Sequence, residues 1–132
     1  MTANIDLKIY MPEKLVLSQK VYRVVLPADD MPLTVIQGRA PTLMALDMGA
    51  VKILDERGEA TEEWLISGGS ADIREDACTI LTEAAFAKKE LSLEKARALN
   101  EEFANPFYEW LISYFEKENG KKENGKKENG KK

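Results

Sequence analysis

Short apolar runs separated by turn-forming residues fill the first 85 positions of the chain, and that punctuation rules out a body built from long helices. Ile5, Leu7 and Ile9 alternate with Asp6 and Lys8, the period of a half-buried strand, until Pro12 interrupts it. Leu15–Leu17 and Val21–Leu26 are two further runs, with Ser18–Lys20 between them reading as a turn. Pro27–Pro32 breaks the pattern, Leu33–Ile36 resumes it, and Gln37–Pro41 breaks it again before Thr42–Leu46. Ala50–Leu54 and Trp64–Ile66 flank the charged, glycine-containing stretch Glu56–Glu59, which suits a hairpin connection. A last hairpin pairs Ser70–Ile73 with Ala77–Leu81 across Arg74–Asp76, and Gly68–Gly69 marks a kink or a close approach between sheets. About eight to ten short strands at this spacing predict a sandwich or barrel.

From Phe86 the turn residues disappear and Ala, Glu, Lys and Leu take over, which predicts helix. Ser92 is placed to cap a helix with Glu94 in its first turn, and Leu93, Ala96, Leu99 and Phe103 fall along one side. Asn105–Pro106 ends that helix and begins another, whose Phe107, Trp110, Leu111, Tyr114 and Phe115 share a face. Glu-Asn-Gly-Lys-Lys then occurs three times from Glu118 to Lys132, with no apolar residue to offset the entropy of ordering. The expectation is a mainly β α+β chain: an antiparallel sandwich over 1–86, a helical hairpin over 87–117 and a disordered tail over 118–132.

Charge and chemistry narrow the function. The chain carries 23 acidic and 19 basic residues, and without the basic tail the body stands near −7, a poor match to nucleic acid. Histidine is absent, which removes the commonest metal ligand and general base; Ser67 and Ser70 have no base to activate them. A lone Cys78 cannot form an internal disulfide. The acidic pairs Asp29–Asp30, Glu62–Glu63 and Glu75–Asp76 sit beside turns or on alternating strand faces, the ordinary setting of solvated carboxylates. No cofactor and no metal site is expected, and no apolar stretch has the length of a membrane span.

Several segments, taken in order, carry a resemblance: Met11–Val16, Val24–Pro27, Gln37–Leu46, Gly49–Ile53 and Ser67–Gly69. Together they make the chain resemble the epsilon-subunit family of the F-type ATP synthase over Ile5 to about Ala98. The family's usual Gly-His-Ala-Pro stands here as Gly38-Arg39-Ala40-Pro41, and its glycine-rich acidic loop as Asp29–Thr34. The resemblance implies a non-catalytic rotor subunit in the central stalk, held between the gamma subunit and the membrane c-ring, on the cytoplasmic face of the bacterial inner membrane. Asp29, Asp30, Met31 and Pro32 are then expected to face the c-ring. Gln37, Gly38, Arg39, Ala40 and Pro41 are expected near gamma or the ring. Some members bind ATP through the hairpin; Leu93, Glu94, Arg97 and Ala98 look like a remnant of that pattern, with Glu for Asp, while no basic residue precedes Lys117 on the second helix. Weak or absent ATP binding follows, and the hairpin is assigned a weak regulatory role with alpha and beta subunits as its further partners. Without the resemblance, the residues fit a freestanding sandwich adaptor whose hairpin binds a partner protein.

Overall fold

The computed structural model describes residues 5–28, 31–38 and 40–131, with 120–131 as backbone only. The chain divides into two compact units, Met1–Lys89 and Glu90–Lys132.

The first unit is a two-layer sandwich. Its strands are β1 Ile5–Met11, β2 Lys14–Val21, β3 Arg23–Leu26, β4 Leu33–Val35, β5 Thr42–Leu46, β6 Gly49–Leu54, β7 Ala60–Ile66, β8 Gly69–Ile73, β9 Ala77–Leu81 and β10 Ala85–Ala87. One sheet has the order β2-β1-β9-β8-β5 and the other β10-β7-β6-β3-β4. Alternation decides which residues face inward: Ile5, Leu7 and Ile9 are at most 1% exposed, whereas Asp6 and Lys8 between them are exposed. Val24, Leu26, Val35, Val51, Ile53, Ile66, Ile73, Cys78 and Ile80 complete a continuous apolar core between the layers.

Four features differ from the sequence reading. Ser18–Lys20 is no turn: β2 runs through it, pairing Ser18 with Lys8 and Lys20 with Asp6, and the chain turns instead at Pro12–Glu13, where Glu13 takes φ 62°. Polar residues on an edge strand mimic a turn because one side of the strand faces water. β7 starts at Ala60, four residues before the apolar signal of Trp64. Ala85–Ala87 forms a strand against Trp64–Ile66, where composition predicts helix. Finally, the pairing is antiparallel except between β1 and β9, which run parallel from Asp6↔Ala77 to Tyr10↔Leu81.

Within each sheet the odd-numbered strands run one way and the even-numbered strands return, so the connections gather at two ends. At the upper end, where odd strands finish, lie the 12–13, 27–32, 47–48, 67–68 and 82–84 connections; the Asp47 amide donates to the Pro27 carbonyl (2.8 Å) and the Thr82 amide to that of Tyr10 (3.0 Å). At the lower end lie the 36–41, 55–59 and 74–76 connections; the Gly38 amide donates to the Glu75 carbonyl (2.8 Å) and the Asp6 amide to that of Asp76 (2.9 Å).

The second unit holds α1 Leu93–Phe103 and α2 Pro106–Lys131. Ser92 caps α1, its Oγ accepting from the Lys95 amide at 3.2 Å, and Ala104 closes it in a left-handed conformation, φ 42°. Asn105 caps α2 through an Oδ1 that accepts from the Phe107 amide at 2.8 Å. Ala96 on α1 and Phe107, Leu111 and Phe115 on α2 are buried, Leu93 and Leu99 partly so, and Phe103 is 59% exposed with its ring 6.3 Å from that of Tyr108. The α2 backbone is helical from Pro106 to Lys131. The side chains of 120–132 lie outside the described residues.

Candidate interaction site at the two ends of the sandwich

The six described residues among the nine expected to meet neighbours are divided between the ends. Met31 and Pro32 belong to the upper end, where Met31 is 72% exposed; Gln37, Gly38, Ala40 and Pro41 belong to the lower end and are exposed. Asp29, Asp30 and Arg39 lie outside the described residues. Between the two loops run only the three residues of β4, about 10 Å of strand. They therefore address different sides of one stiff block.

The lower loop is fixed by its surroundings. Gly38 has φ +88° and open space where a Cβ would be, and Thr42 Oγ1 donates to the Ala40 carbonyl at 3.0 Å. A hollow of about 280 Å³ next to it is lined by Pro41, Thr42, Leu43, Asp72 and Arg74. Leu43 is 78% exposed and sits opposite Asp72 in the β5–β8 register. The Arg74 guanidinium bonds Asp72 at 2.9 Å, which raises its pKa further above the ordinary range. Sequence reasoning left Asp72 and Arg74 out of this group. The signal was the Thr42–Leu46/Gly69–Ile73 register, which only pairing reveals.

The upper end carries an open depression of about 430 Å³ lined by residues including Tyr10, Met11, Ser67, Gly69, Leu81 and Thr82. Gly68–Gly69 shapes it, though the close approach is within one sheet and not between two: a Cβ on Gly69 would overlap the Leu81 carbonyl oxygen on the adjoining strand. Ser67 Oγ accepts from the Ala84 amide at 3.1 Å and lies 3.4 Å from Thr82 Oγ1, which donates to the Ala84 carbonyl at 3.2 Å. Both hydroxyls thus lock the loops together. A cross-strand row, Leu15–Tyr10–Leu81–Ser70–Ala45, brings an uncharged stripe across the outer face beside this depression, with Leu15 48% and Leu81 53% exposed.

Several of the described acidic residues hold local structure, and Glu75 and Asp76 are exposed. Glu62 accepts from the Trp64 indole at 3.2 Å and Glu63 lies 3.7 Å from the Lys88 ammonium. Asp55 accepts the amides of Glu59 and Arg57, both at 2.9 Å, and these bonds, that to Glu59 foremost, hold its carboxyl below the ordinary 3.8. Burial, with the Asp72 charge adding to it, pushes the Cys78 thiol up to about 12, far from a nucleophile's range. Among the described residues no three His, Cys, Asp or Glu side chains gather as metal ligands. In the hairpin, Arg97 bonds Glu116 at 3.2 Å, Leu93 is half-buried, and Glu94 and Ala98 are exposed. No helix among the described residues is long and apolar enough to cross a membrane.

Comparison with known proteins agrees with this architecture. The sequence model of the ATP synthase delta/epsilon chain β-sandwich domain matches residues 4–88. The ATP synthase epsilon chain of Rhizobium meliloti (strain 1021) is 35% identical over 74% of this chain and 78% of its own length. That of Rhizobium rhizogenes (strain K84) is 34% identical over 72% of this chain and 70% of its own. Among solved structures, a chain of the Euglena gracilis mitochondrial ATP synthase OSCP/F1/c-ring assembly superposes with a TM-score of 0.63 at 24% identity, covering 77% of this chain and 64% of that one. A chain of the Tetrahymena thermophila mitochondrial ATP synthase central stalk and c-ring gives 0.56 at 17% identity, covering 86% and 95%. The two structures carry the fold; the match over the whole sandwich, with relatives above 30% identity, places this chain in the delta/epsilon chain family of the ATP synthase.

Proposed function

We propose that the chain is the non-catalytic epsilon-type subunit of an F-type ATP synthase central stalk, joining gamma to the membrane c-ring and coupling ion translocation to ATP synthesis. The reading places it on the cytoplasmic face of a bacterial inner membrane, attached through its partners. The observation that carries it is the family match across the entire sandwich. The separation of the two contact loops supports the finer assignment. In this reading the 27–32 loop at the upper end faces the ring, and the 37–41 loop at the lower end meets gamma. Transmitting torque requires a body that does not shear between those faces. Two five-stranded layers around a continuous apolar core supply that stiffness.

The test is recovery of gamma and ring subunits with the tagged chain from detergent-solubilised membranes. Ala40→Glu is expected to reduce gamma recovery while leaving the melting temperature of the free protein nearly unchanged, because Ala40 is exposed. A chain found unassociated in the soluble fraction would sink the reading and favour the adaptor alternative.

A further inference from the structure

Every residue expected to meet a neighbour falls within one excursion of the chain, and the two ends of that excursion are tied together. The chain leaves β3 at Leu26, passes the 27–32 connection, runs along β4, crosses to the other sheet through 36–41 and returns along β5. There the Asp47 amide donates to the Pro27 carbonyl at 2.8 Å, so the excursion closes where it began. Gly49, which opens β6, is buried, and a Cβ on it would lie 2.6 Å from Pro27 Cβ and 3.3 Å from Pro27 Cγ. Its φ lies outside the left-handed region, so space and not backbone conformation calls for glycine there. The same turn meets Gly68, where a Cβ would lie 3.2 Å from the Leu46 carbonyl oxygen and 3.5 Å from the Met48 amide nitrogen. The 46–48 turn therefore packs backbone-close against both Pro27 and Gly68. The far bend of the excursion is tied separately, by the Gly38 amide on the Glu75 carbonyl at 2.8 Å.

We propose that Pro27, Asp47 and Gly49 are positioning residues: they form a neck that closes the excursion and sets where the 27–32 loop stands at the upper end. The inference rests on the stalk reading, in which that loop meets the ring. A proline ring is part of its own backbone and cannot turn aside as a free side chain does. Non-bonded carbon atoms settle about 3.5–4.0 Å apart, so a methyl group at position 49 pushes Pro27 back by about 1 Å and stretches its bond to the Asp47 amide. Pro27 is the root of the 27–32 loop, so the displacement passes into the loop. A well-fitted interface is packed as densely as a protein interior and has no slack to absorb such a shift. Gly49 is itself buried, and it acts on the contact only through Pro27.

The experiment uses the full chain. Amide hydrogen exchange of the free protein is compared for wild type, Gly49→Ala and Ile9→Val, the last a loss of core packing on β1, away from the neck. Gly49→Ala should speed exchange of the Asp47 amide by about tenfold more than that of Ala77–Leu81, whereas Ile9→Val should not favour Asp47. In pull-downs from solubilised membranes, normalised to folded chain, Gly49→Ala should recover ring subunits about tenfold less than wild type, the loss expected when a strong contact is displaced. Ile9→Val should stay within about twofold of wild type, since it lowers stability without moving the loop. Pro27→Gly added to Gly49→Ala removes the opposing ring atoms and should return protection to the Asp47 amide, which keeps the inference testable if Gly49→Ala alone folds poorly. Unchanged Asp47 exchange in Gly49→Ala, no regain in the double variant, or equal ring recovery from Gly49→Ala and Ile9→Val would each overturn the neck. Wild type that recovers neither ring nor gamma overturns the stalk reading instead, and the exchange data on the free protein still decide whether the neck exists.

Discussion

Gly38 and Gly69 have the same backbone sign and opposite surroundings, which makes them a controlled pair. Gly38 has φ +88° with nothing within 4 Å of an added Cβ; Gly69 has φ +143°, and its Cβ would run into the Leu81 carbonyl. For Gly38→Ala the cost is conformational only. A left-handed backbone costs an L-residue about 1–2 kcal/mol, and the stiffer unfolded chain returns about 0.4–1, leaving about 1 kcal/mol. At Gly69 a backbone that disfavours side chains costs about 1–3 kcal/mol, and moving β8 off β9 adds a packing cost of about 1–3 more. A net loss near 4 kcal/mol is expected there, a large share of the ~5–15 kcal/mol holding a domain of this size. Urea melts of both variants, read by far-ultraviolet circular dichroism, should give a midpoint shift for Gly69→Ala about four times that for Gly38→Ala, with equal slopes. In the gamma pull-down the order should reverse for protein that remains folded, since Gly38 lies in the proposed contact loop. Equal midpoint shifts would refute the argument that the Leu81 carbonyl, and not the sign of φ, makes glycine obligatory at 69.

Other outcomes follow from single features. Cys78 is fully buried with its thiol raised to about 12, so a disulfide reagent at pH 8 should modify it only as fast as the sandwich opens; instantaneous labelling of native protein would contradict that. Asp55 has a lowered carboxyl pKa, so its contribution to stability is present above the ordinary value of 3.8 and lost as pH falls through the lower folded value. Asp55→Asn should therefore flatten the acid limb of the stability profile, and an unchanged limb would show the turn bonds to be idle. Leu111→Ala should destabilise the hairpin by about 2–5 kcal/mol, seen as faster amide exchange in 93–117, and unaltered exchange would refute tight packing there. A fragment ending at Lys89 should melt cooperatively, whereas one ending at Phe86 should be less stable because it cuts β10 and removes the Lys88 partner of Glu63. Identical melts would make β10 dispensable.

Much of the sandwich was legible because inward positions keep a period of two, as in Ile5-Leu7-Ile9, and because turns announce themselves, as at Asp55–Gly58. Where the sequence misled, local chemistry and tertiary placement disagreed. Ser18–Lys20 is polar because β2 is an edge, and Ala85–Ala87 looks helical by composition yet is claimed by the free side of β7. The hairpin was readable from its caps, Ser92 and Asn105, whose side chains bond the expected amides. The candidate contact loops were found as sequence, but their separation to opposite ends was not, since direction along a strand emerges only from the pairing of β3 with β4. Glu116 carried no signal at all: nineteen residues separate it from Arg97, and only the fold of the hairpin brings them together.

The parallel β1–β9 pair has a consequence for biosynthesis. The early strand β1 is an interior member of its sheet, flanked by β2 and by a strand begun at residue 77. Until that late segment emerges, β1 and β2 can make only an isolated hairpin, a marginal structure with one naked flank. A nascent chain thus keeps that flank of β1 open until the segment from residue 77 has emerged, and pairing then closes it in a single step.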